Sequence, residues 1–257
     1  MDLLPYLDAA RDFARTGGDL SLRWFRREEL EIEHKADDSP VTAADRAVEQ
    51  AIRRSILRRF PDHAVVGEEY GGALGQQRFE WIIDPIDGTK SFVRGVPLYT
   101  TLVALLVDGT PQVGVVYCPA TGEMASAAHG MGAWDELNRP LRVSGVTELS
   151  KAWLGTTDPS DFLRREDSWA ENLLRQAEAS RTWADAYGYL LVARGDMDLM
   201  IDPIMSPWDI APLPVIIREA GGVFFDIAGG QPALGSSAVA AASPALAENA
   251  LELRPRR

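Results

Sequence analysis

Five acidic residues sit where chains rarely put them. Glu68 and Glu69 lie in "GEEYG", Asp84 and Asp87 in "WIIDPIDGTKSF", and Asp209 in "SPWDIA". Each follows a strand-like run or sits in a tight turn beside apolar residues, and carboxylates avoid such places unless something compensates their charge. In the run Asp84-Pro85-Ile86-Asp87-Gly88-Thr89 a strand ends at Asp84. Pro85 then fixes φ and directs the chain off the sheet, and Gly88 permits a turn that a side chain would resist. Two acids three residues apart can converge on one side of such a turn. The backbone N–H groups beyond them open a helix, where anions bind. Acids next to an anion site make sense with a cation between them. Oxygen donors without a nearby His or Cys cluster, next to a phosphate, point to Mg²⁺. Each acid also has a plain structural alternative: Asp87 as a helix cap, and Glu68-Glu69 as a solvated pair.

Other reactive side chains carry less. Cys118 ends the strand-like "VVYC" and reads as a small buried side chain. As the single cysteine it can form no disulfide within the chain, which fits a reducing compartment. His34, His63 and His129 are too far apart for a ligand set and read as surface or loop residues. Trp81 and Trp208 flank the acidic motifs and read as packing them. Thr42-x-x-Asp45 has the spacing of a capping box.

The elements that position these residues follow from periodicity. A helical stripe covers 3–25, weakened at Gly17-Gly18, and a second helix covers 42–59. Strands are expected at 31–34, 64–67, 81–84, 98–107, 112–117 and 123–128, with a hairpin turn at Asp108-Gly109. Residues 70–78, "YGGALGQQR", read as a mobile loop. Beyond these come strands at 152–156, 197–201, 222–226 and 237–242 and helices at 161–178, 186–194, 209–220 and 244–252, the last opened by Ser243-Pro244. Pro212 and Pro214 fall in the first turn of the 209–220 helix, where their missing N–H groups are tolerated. Mixed strands and helices with one antiparallel meander give an α/β (α+β) layered sandwich. The 257 residues fit one domain, with a subdomain boundary near 145–150 that divides 1–148 from 149–257.

Composition excludes several classes. Hydrophobic residues are 46% of the chain, ample for a core without staples. The sum of 26 Lys and Arg against 38 Asp and Glu gives −12, against a nucleic-acid or anionic-membrane partner. No apolar run is long enough to span a bilayer. The start, "MDLLPYLDAARDFAR", has no basic n-region, so a cytoplasmic protein is expected.

Taken together, "WIIDPIDGTKSF" at 81–92, "PWDIAPLPVIIREAGG" at 207–222, "GEE" at 67–69 and "SPVTAAD" at 39–45 resemble the inositol monophosphatase family of Mg²⁺-dependent phosphatases along nearly the whole chain. The resemblance implies a five-layer αβαβα sandwich of the inositol monophosphatase and fructose-1,6-bisphosphatase type, and a homodimer. It implies two or three Mg²⁺ ions. Glu68, Asp84 and the carbonyl of Ile86 would bind the first, and Asp84, Asp87 and Asp209 the second. A third would sit through water near Glu68. Gly88 and Thr89 would offer N–H groups to the phosphate, and Thr89 and Asp45 would orient and deprotonate the attacking water. Lys35 would align with a basic residue near that water. In such chemistry the metals activate the water and clamp the attacking and leaving oxygens, with no phospho-enzyme.

The segment "TWADAYGYLLVARGDMDLMIDPIMSPWD" is similar to the histidinol-phosphatase branch of that family, as is "DGTKSFVRGVP". Substrate contacts are then expected from Asp185, Asp202, Tyr187 and Arg194. Asp185 and Asp202 could pair with the amine of L-histidinol phosphate, and Tyr187 could meet its imidazole. Asp185 also reads as a helix N-cap, Tyr187 and Tyr189 as core, and Arg194 as facing solvent or a dimer partner's pocket. The expected activity is histidinol-phosphatase. The alternatives are an inositol or sugar phosphatase acting on inositol monophosphate or fructose 1,6-bisphosphate, and a non-catalytic metal-binding relative.

Overall fold

The computed structural model describes residues 1–27, 32–34, 40–163, 169–183, 185–230 and 234–254. The first half runs α1 (Leu4–Ser21), β1 (Ile32–His34), β2 (Pro40–Thr42), α2 (Ala43–Arg59), β3 (Ala64–Gly67), β4 (Phe79–Asp87), α3 (Thr89–Val93), β5 (Thr100–Val107), β6 (Thr110–Cys118), β7 (Glu123–Ala128) and β8 (Ala133–Trp134). The second half runs β9 (Trp153–Gly155), α4 (Pro159–Leu163), α5 (Trp169–Gln176), β10 (Ala179–Arg181), α6 (Ala186–Arg194), β11 (Leu199–Asp202), α7 (Pro207–Ile210), α8 (Leu213–Glu219), β12 (Val223–Phe225), β13 (Ala238–Ala241) and α9 (Pro244–Glu252). Two large sheets result, one in the order β3-β4-β5-β6-β7-β8 and one in the order β10-β9-β11-β13-β12.

Side-chain alternation builds the layers. β5 is apolar at nearly every position, as a strand covered on both faces must be. Val103 and Leu105 face Phe13 of α1 and Val48 and Ile52 of α2. Leu102, one residue out of phase, faces Leu190 of α6 and Ile216 of α8. The second sheet repeats the device. Met200 and Ala240 turn toward α6 and α8, while Leu199, Ile201 and Val239 turn toward Trp169 and Leu173 of α5 and Leu246 of α9. Helices, sheet, helices, sheet and helices are the five layers of an αβαβα sandwich. Each fully buried Leu or Ile adds about 1.5–3 kcal/mol to its cohesion.

Most element expectations hold to within a few residues, including the Asp108-Gly109 hairpin and the Ser243 cap, whose hydroxyl accepts from Leu246 N at 3.1 Å. The helix expected over 209–220 does not form as one piece. It breaks into α7 and α8, because Pro212 and Pro214 have no N–H to give the carbonyls of Trp208 and Ile210. Ala211 N still reaches Pro207 O, and Ile216 N reaches Pro212 O. The region read as one helix over 161–178 holds α4 and α5, and residues 164–168 between them lie outside the described residues, as does Lys35. His63 is no simple loop residue. It is stacked between Phe60 and Phe79, with centroids 4.8 and 4.7 Å away, and its Nδ1 accepts from Trp81 Nε1 at 3.0 Å. Cys118 is buried, and burial pushes its thiol pKa up. Among the described residues no helix is long and apolar enough to cross a membrane.

Candidate active site

In a regular strand Asp84 and Asp87, three apart, would point to opposite faces. They do not, because the β4–β5 register slips between them. Asp84 pairs with Leu102 and Asp87 with Thr100. Pro85 lies at the slip, where a missing N–H costs no ladder bond. The bulge turns both carboxylates to one side, and Ile86 N donates to Asp84 Oδ1 at 3.1 Å. Gly88 follows at φ 81°, ψ 41°, a left-handed conformation that glycine adopts freely. Thr89 then starts α3, and its hydroxyl donates to Ile86 O at 3.1 Å.

Asp209 comes from the other half of the chain. It is the third residue of α7, and its carboxylate accepts from Ser206 N at 2.7 Å in a capping box. That cap aims Asp209 at the β4 bulge. Asp84, Asp87 and Asp209 each bring an oxygen to a point where all lie within 4.8 Å of one another. β3 runs parallel to β4 with Gly67 opposite Ile83, so the chain leaves β3 at Glu68 beside Asp84. A cavity of about 350 Å³ is lined by Glu68, Asp84, Asp87, Thr89, Asp185 and Asp209 among others, including Lys90 and the backbone of Ile86 and Gly88.

Burial and mutual repulsion dominate the electrostatics. Asp84 is pushed well above the usual carboxylate range, first by burial and then by Glu68, Asp87 and Asp209. Burial lifts Asp87 to about 6, against hydrogen bonds from Thr100 Oγ1 and Ala186 N to its Oδ2 at 2.7 and 2.8 Å. Asp209 rises to about 7 through burial and the charge of Asp87. Ionised together, these oxygens need a cation. The described lining has no His or Cys. Hard oxygen donors of this kind fit Mg²⁺.

The other expected residues divide. Asp45 is buried and forms the capping box: its Oδ2 accepts from Thr42 N at 2.8 Å and from the Thr42 hydroxyl at 2.6 Å. It does not line the cavity, though the charges of Glu69 and Glu68 reach it and burial lifts it to about 6. Asp185 occupies the N-cap position of α6 but makes no cap bond with its side chain. At φ 55° it instead turns the carboxylate to the cavity, where a Cβ on Gly88 would lie 2.7 Å from its Oδ2. Burial and Asp87 push its pKa well up.

Asp202 is buried behind this wall and is not part of the described lining. It accepts from Thr157 N at 2.8 Å and from the Tyr189 hydroxyl at 2.9 Å. Tyr187 and Arg194 stand elsewhere. They are seven apart on α6 and share its far face, where both bond Glu123. They line a second cavity of about 610 Å³ with Trp153 and Trp183. Within one chain the structure does not bring either of them to the carboxylates.

Four supports of the site carry no motif in the sequence. Thr100 and the N–H of Ala186 hold Asp87. Glu80 is fully buried, and its carboxylate accepts from the N–H groups of Gly75, Gln76 and Gln77, so the 70–78 loop is tied to β4. Glu49, also buried, accepts from Glu69 N and Tyr70 N. The available signal was the placement of Glu49 and Glu80 on apolar faces, four residues after Asp45 and four before Asp84.

The inositol monophosphatase family model matches residues 2–257. The chain belongs to the inositol monophosphatase family. It is a phosphomonoester hydrolase, and Mg²⁺ dependence is general to the family. A histidinol-phosphatase from Chlorobaculum parvum is 40% identical over 248 residues, covering 96% of this chain and 95% of that protein. A fructose-1,6-bisphosphatase/inositol-1-monophosphatase from Aquifex aeolicus is 34% identical over 258 residues, covering 98% and 96%. The solved structure of the inositol monophosphatase TM1415 from Thermotoga maritima superposes with a TM-score of 0.87 at 28% identity, covering 97% of this phosphatase and 96% of that chain.

Proposed function

We propose that this phosphatase hydrolyses L-histidinol phosphate to L-histidinol and inorganic phosphate. The observation that carries the reading is Asp185, a carboxylate at the cavity wall beside Gly88 that is not used to cap its own helix. L-Histidinol phosphate has a cationic amine a few bonds from its phosphate. An acid set just beyond the phosphate position pairs with that amine, whereas a neutral polyol offers it only hydroxyl groups. Asp202, bonded to the N–H of Thr157 in the wall and to the buried Tyr189 hydroxyl, supports the wall and adds negative potential. The 40% identical histidinol-phosphatase supports the same substrate.

Asp84, Asp87 and Asp209, with Glu68 and the Ile86 carbonyl, would hold Mg²⁺, which neutralises phosphate charge and makes water a better nucleophile. The chain's own residues do the rest. Gly88 and Thr89 present backbone N–H groups to the phosphate oxygens. The Thr89 hydroxyl orients the attacking water. Asp45, which does not line the cavity, would take the proton through an intervening water or hydroxyl, its proton affinity raised toward neutrality by burial.

The test is kcat/KM for L-histidinol phosphate, myo-inositol 1-phosphate and fructose 1,6-bisphosphate under the same conditions. A preference for histidinol phosphate of about a hundredfold, ~2.7 kcal/mol of transition-state discrimination, is expected. Asp185→Ala should lower kcat/KM for histidinol phosphate about thirtyfold, as loss of a charge-assisted contact of ~2 kcal/mol does. A preference for either of the other esters overturns the substrate reading.

A further inference from the structure

The carboxylate cavity depends on Glu68, and Glu68 sits on a turn. Turns are the mobile parts of a fold, yet a metal ligand must be held to a fraction of an ångström. What holds this one lies outside the cavity. Glu49 is on α2, one helical turn beyond Asp45 and on the same face. It is fully buried. One carboxylate oxygen, Oε2, accepts from Glu69 N at 2.6 Å, and the other, Oε1, accepts from Tyr70 N at 3.1 Å and Arg53 Nε at 2.7 Å. Arg53 uses its remaining N–H groups to span the turn, donating to Val65 O on β3 at 3.0 Å and to Gly71 O after the turn. Gly67 N closes the turn on Gly71 O at 3.1 Å.

Glu68 is thus fixed on both sides. Before it, Gly67 is locked in the β3–β4 ladder opposite Ile83. After it, two successive N–H groups are held by one buried carboxylate. Charge-assisted hydrogen bonds of this kind are about twice as strong as neutral ones. The approach is so close that a Cβ on Gly67 would collide with the Glu49 carboxylate, which explains a glycine at the end of β3.

We propose that Glu49 and Arg53 form a positioning pair for Glu68. The pair sets the Glu68 carboxylate for metal binding and makes α2 a rigid spacer between Asp45 and Glu68. Neither residue lines the cavity, so neither touches substrate. The inference rests on Glu68 as a metal ligand and is independent of which phosphate ester is hydrolysed.

The experiment compares wild type, Glu49→Gln, Arg53→Lys and Glu68→Gln. Three quantities are read: Mg²⁺ binding by calorimetry, the Mg²⁺ concentration giving half-maximal rate, and amide exchange at Glu69 and Tyr70 in metal-free protein. Glu49→Gln keeps the shape but replaces one of the two acceptor oxygens with an NH₂ donor and leaves Arg53 without its charge partner. It should weaken Mg²⁺ binding and raise the half-maximal Mg²⁺ about tenfold. At saturating Mg²⁺ most of kcat should return, and the two amides should exchange faster. Arg53→Lys should move the same readouts in the same direction by less, and it decides the matter if Glu49→Gln does not fold. Folded variants with wild-type Mg²⁺ binding, or a fall in kcat that Mg²⁺ does not restore, overturn the proposal. A Glu68→Gln variant with unchanged Mg²⁺ binding overturns both the ligand assignment and the positioning pair. A shift in Glu68→Gln without one in Glu49→Gln or Arg53→Lys overturns the pair alone.

Discussion

Glu80 and Asp84 lie four residues apart on the same strand, both buried, and they do opposite things. The carboxylate of Glu80 is saturated: three consecutive backbone N–H groups converge on it and bind a loop to the sheet. Asp84 accepts a single backbone N–H and faces Asp87, Asp209 and Glu68. A saturated buried acid is a structural staple. A buried acid among other acids holds unused acceptor capacity and repels its neighbours, and it is a binding site for a cation. Burial alone does not separate the two; their partners do.

The largest effect should come from breaking the acidic side of this comparison. In Asp87→Asn the amide oxygen can keep the bonds from Thr100 and Ala186, while the cavity loses a charge. Turnover should fall by about 10³-fold or more, ~4 kcal/mol of barrier, with circular dichroism unchanged. Full activity in the folded variant contradicts the metal assignment.

Breaking the saturated side should cost stability. Glu80→Ala leaves three N–H groups of the 70–78 loop without their acceptor, and a loss of about 2–4 kcal/mol in urea unfolding is expected. Below the shifted midpoint, the half-maximal Mg²⁺ should change far less than it does in Asp87→Asn. An unchanged midpoint would show that Glu80 is no staple.

A smaller, pH-dependent effect sharpens the contrast. The folded protein holds Asp87 at about 6 and Asp209 at about 7, against an ordinary carboxylate value of 3.8. The native state therefore binds more protons than the unfolded chain across that window. Stability of the metal-free protein should fall as pH rises from about 6 to about 8, by roughly 1 kcal/mol from Asp209. Scanning calorimetry in EDTA should show the thermal midpoint higher at the lower pH. With saturating Mg²⁺ the ionised cluster is the favoured form, and the difference should shrink or reverse.

The saturated and crowded acids were unequally legible in the sequence. Asp84 and Asp87 were visible because each precedes Pro or Gly where an apolar run ends, and Asp209 because it follows Ser206-Pro207 at a helix start, where local rules apply. The Thr42 cap and the Asp108-Gly109 hairpin were visible for the same reason. Glu49 and Glu80 were not, because, apart from Arg53 four residues beyond Glu49, the groups that satisfy them are backbone N–H groups of residues 69–77, and side-chain patterns carry no record of those. The break between α7 and α8 depends on two prolines whose combined effect exceeds the first-turn tolerance of either. Tyr187 and Arg194 follow Asp185 closely in sequence, but helical rotation carries them to another cavity. The five-layer order was legible from the family resemblance, and its physical basis is the out-of-phase alternation in β5 and β11.

The most direct test of the comparison is Mg²⁺ binding by wild type and Asp84→Asn, followed by calorimetry and thermal unfolding in one buffer. Without metal, Asp84→Asn should be at least as stable as wild type, since it removes one of several mutually repelling charges while keeping an acceptor for Ile86 N. Mg²⁺ at a hundred times its Kd should then stabilise wild type by about 2.7 kcal/mol and leave Asp84→Asn nearly unmoved. Equal Mg²⁺ binding by both proteins, or a metal-free Asp84→Asn that is clearly less stable, would contradict the account by showing Asp84 to be a staple like Glu80.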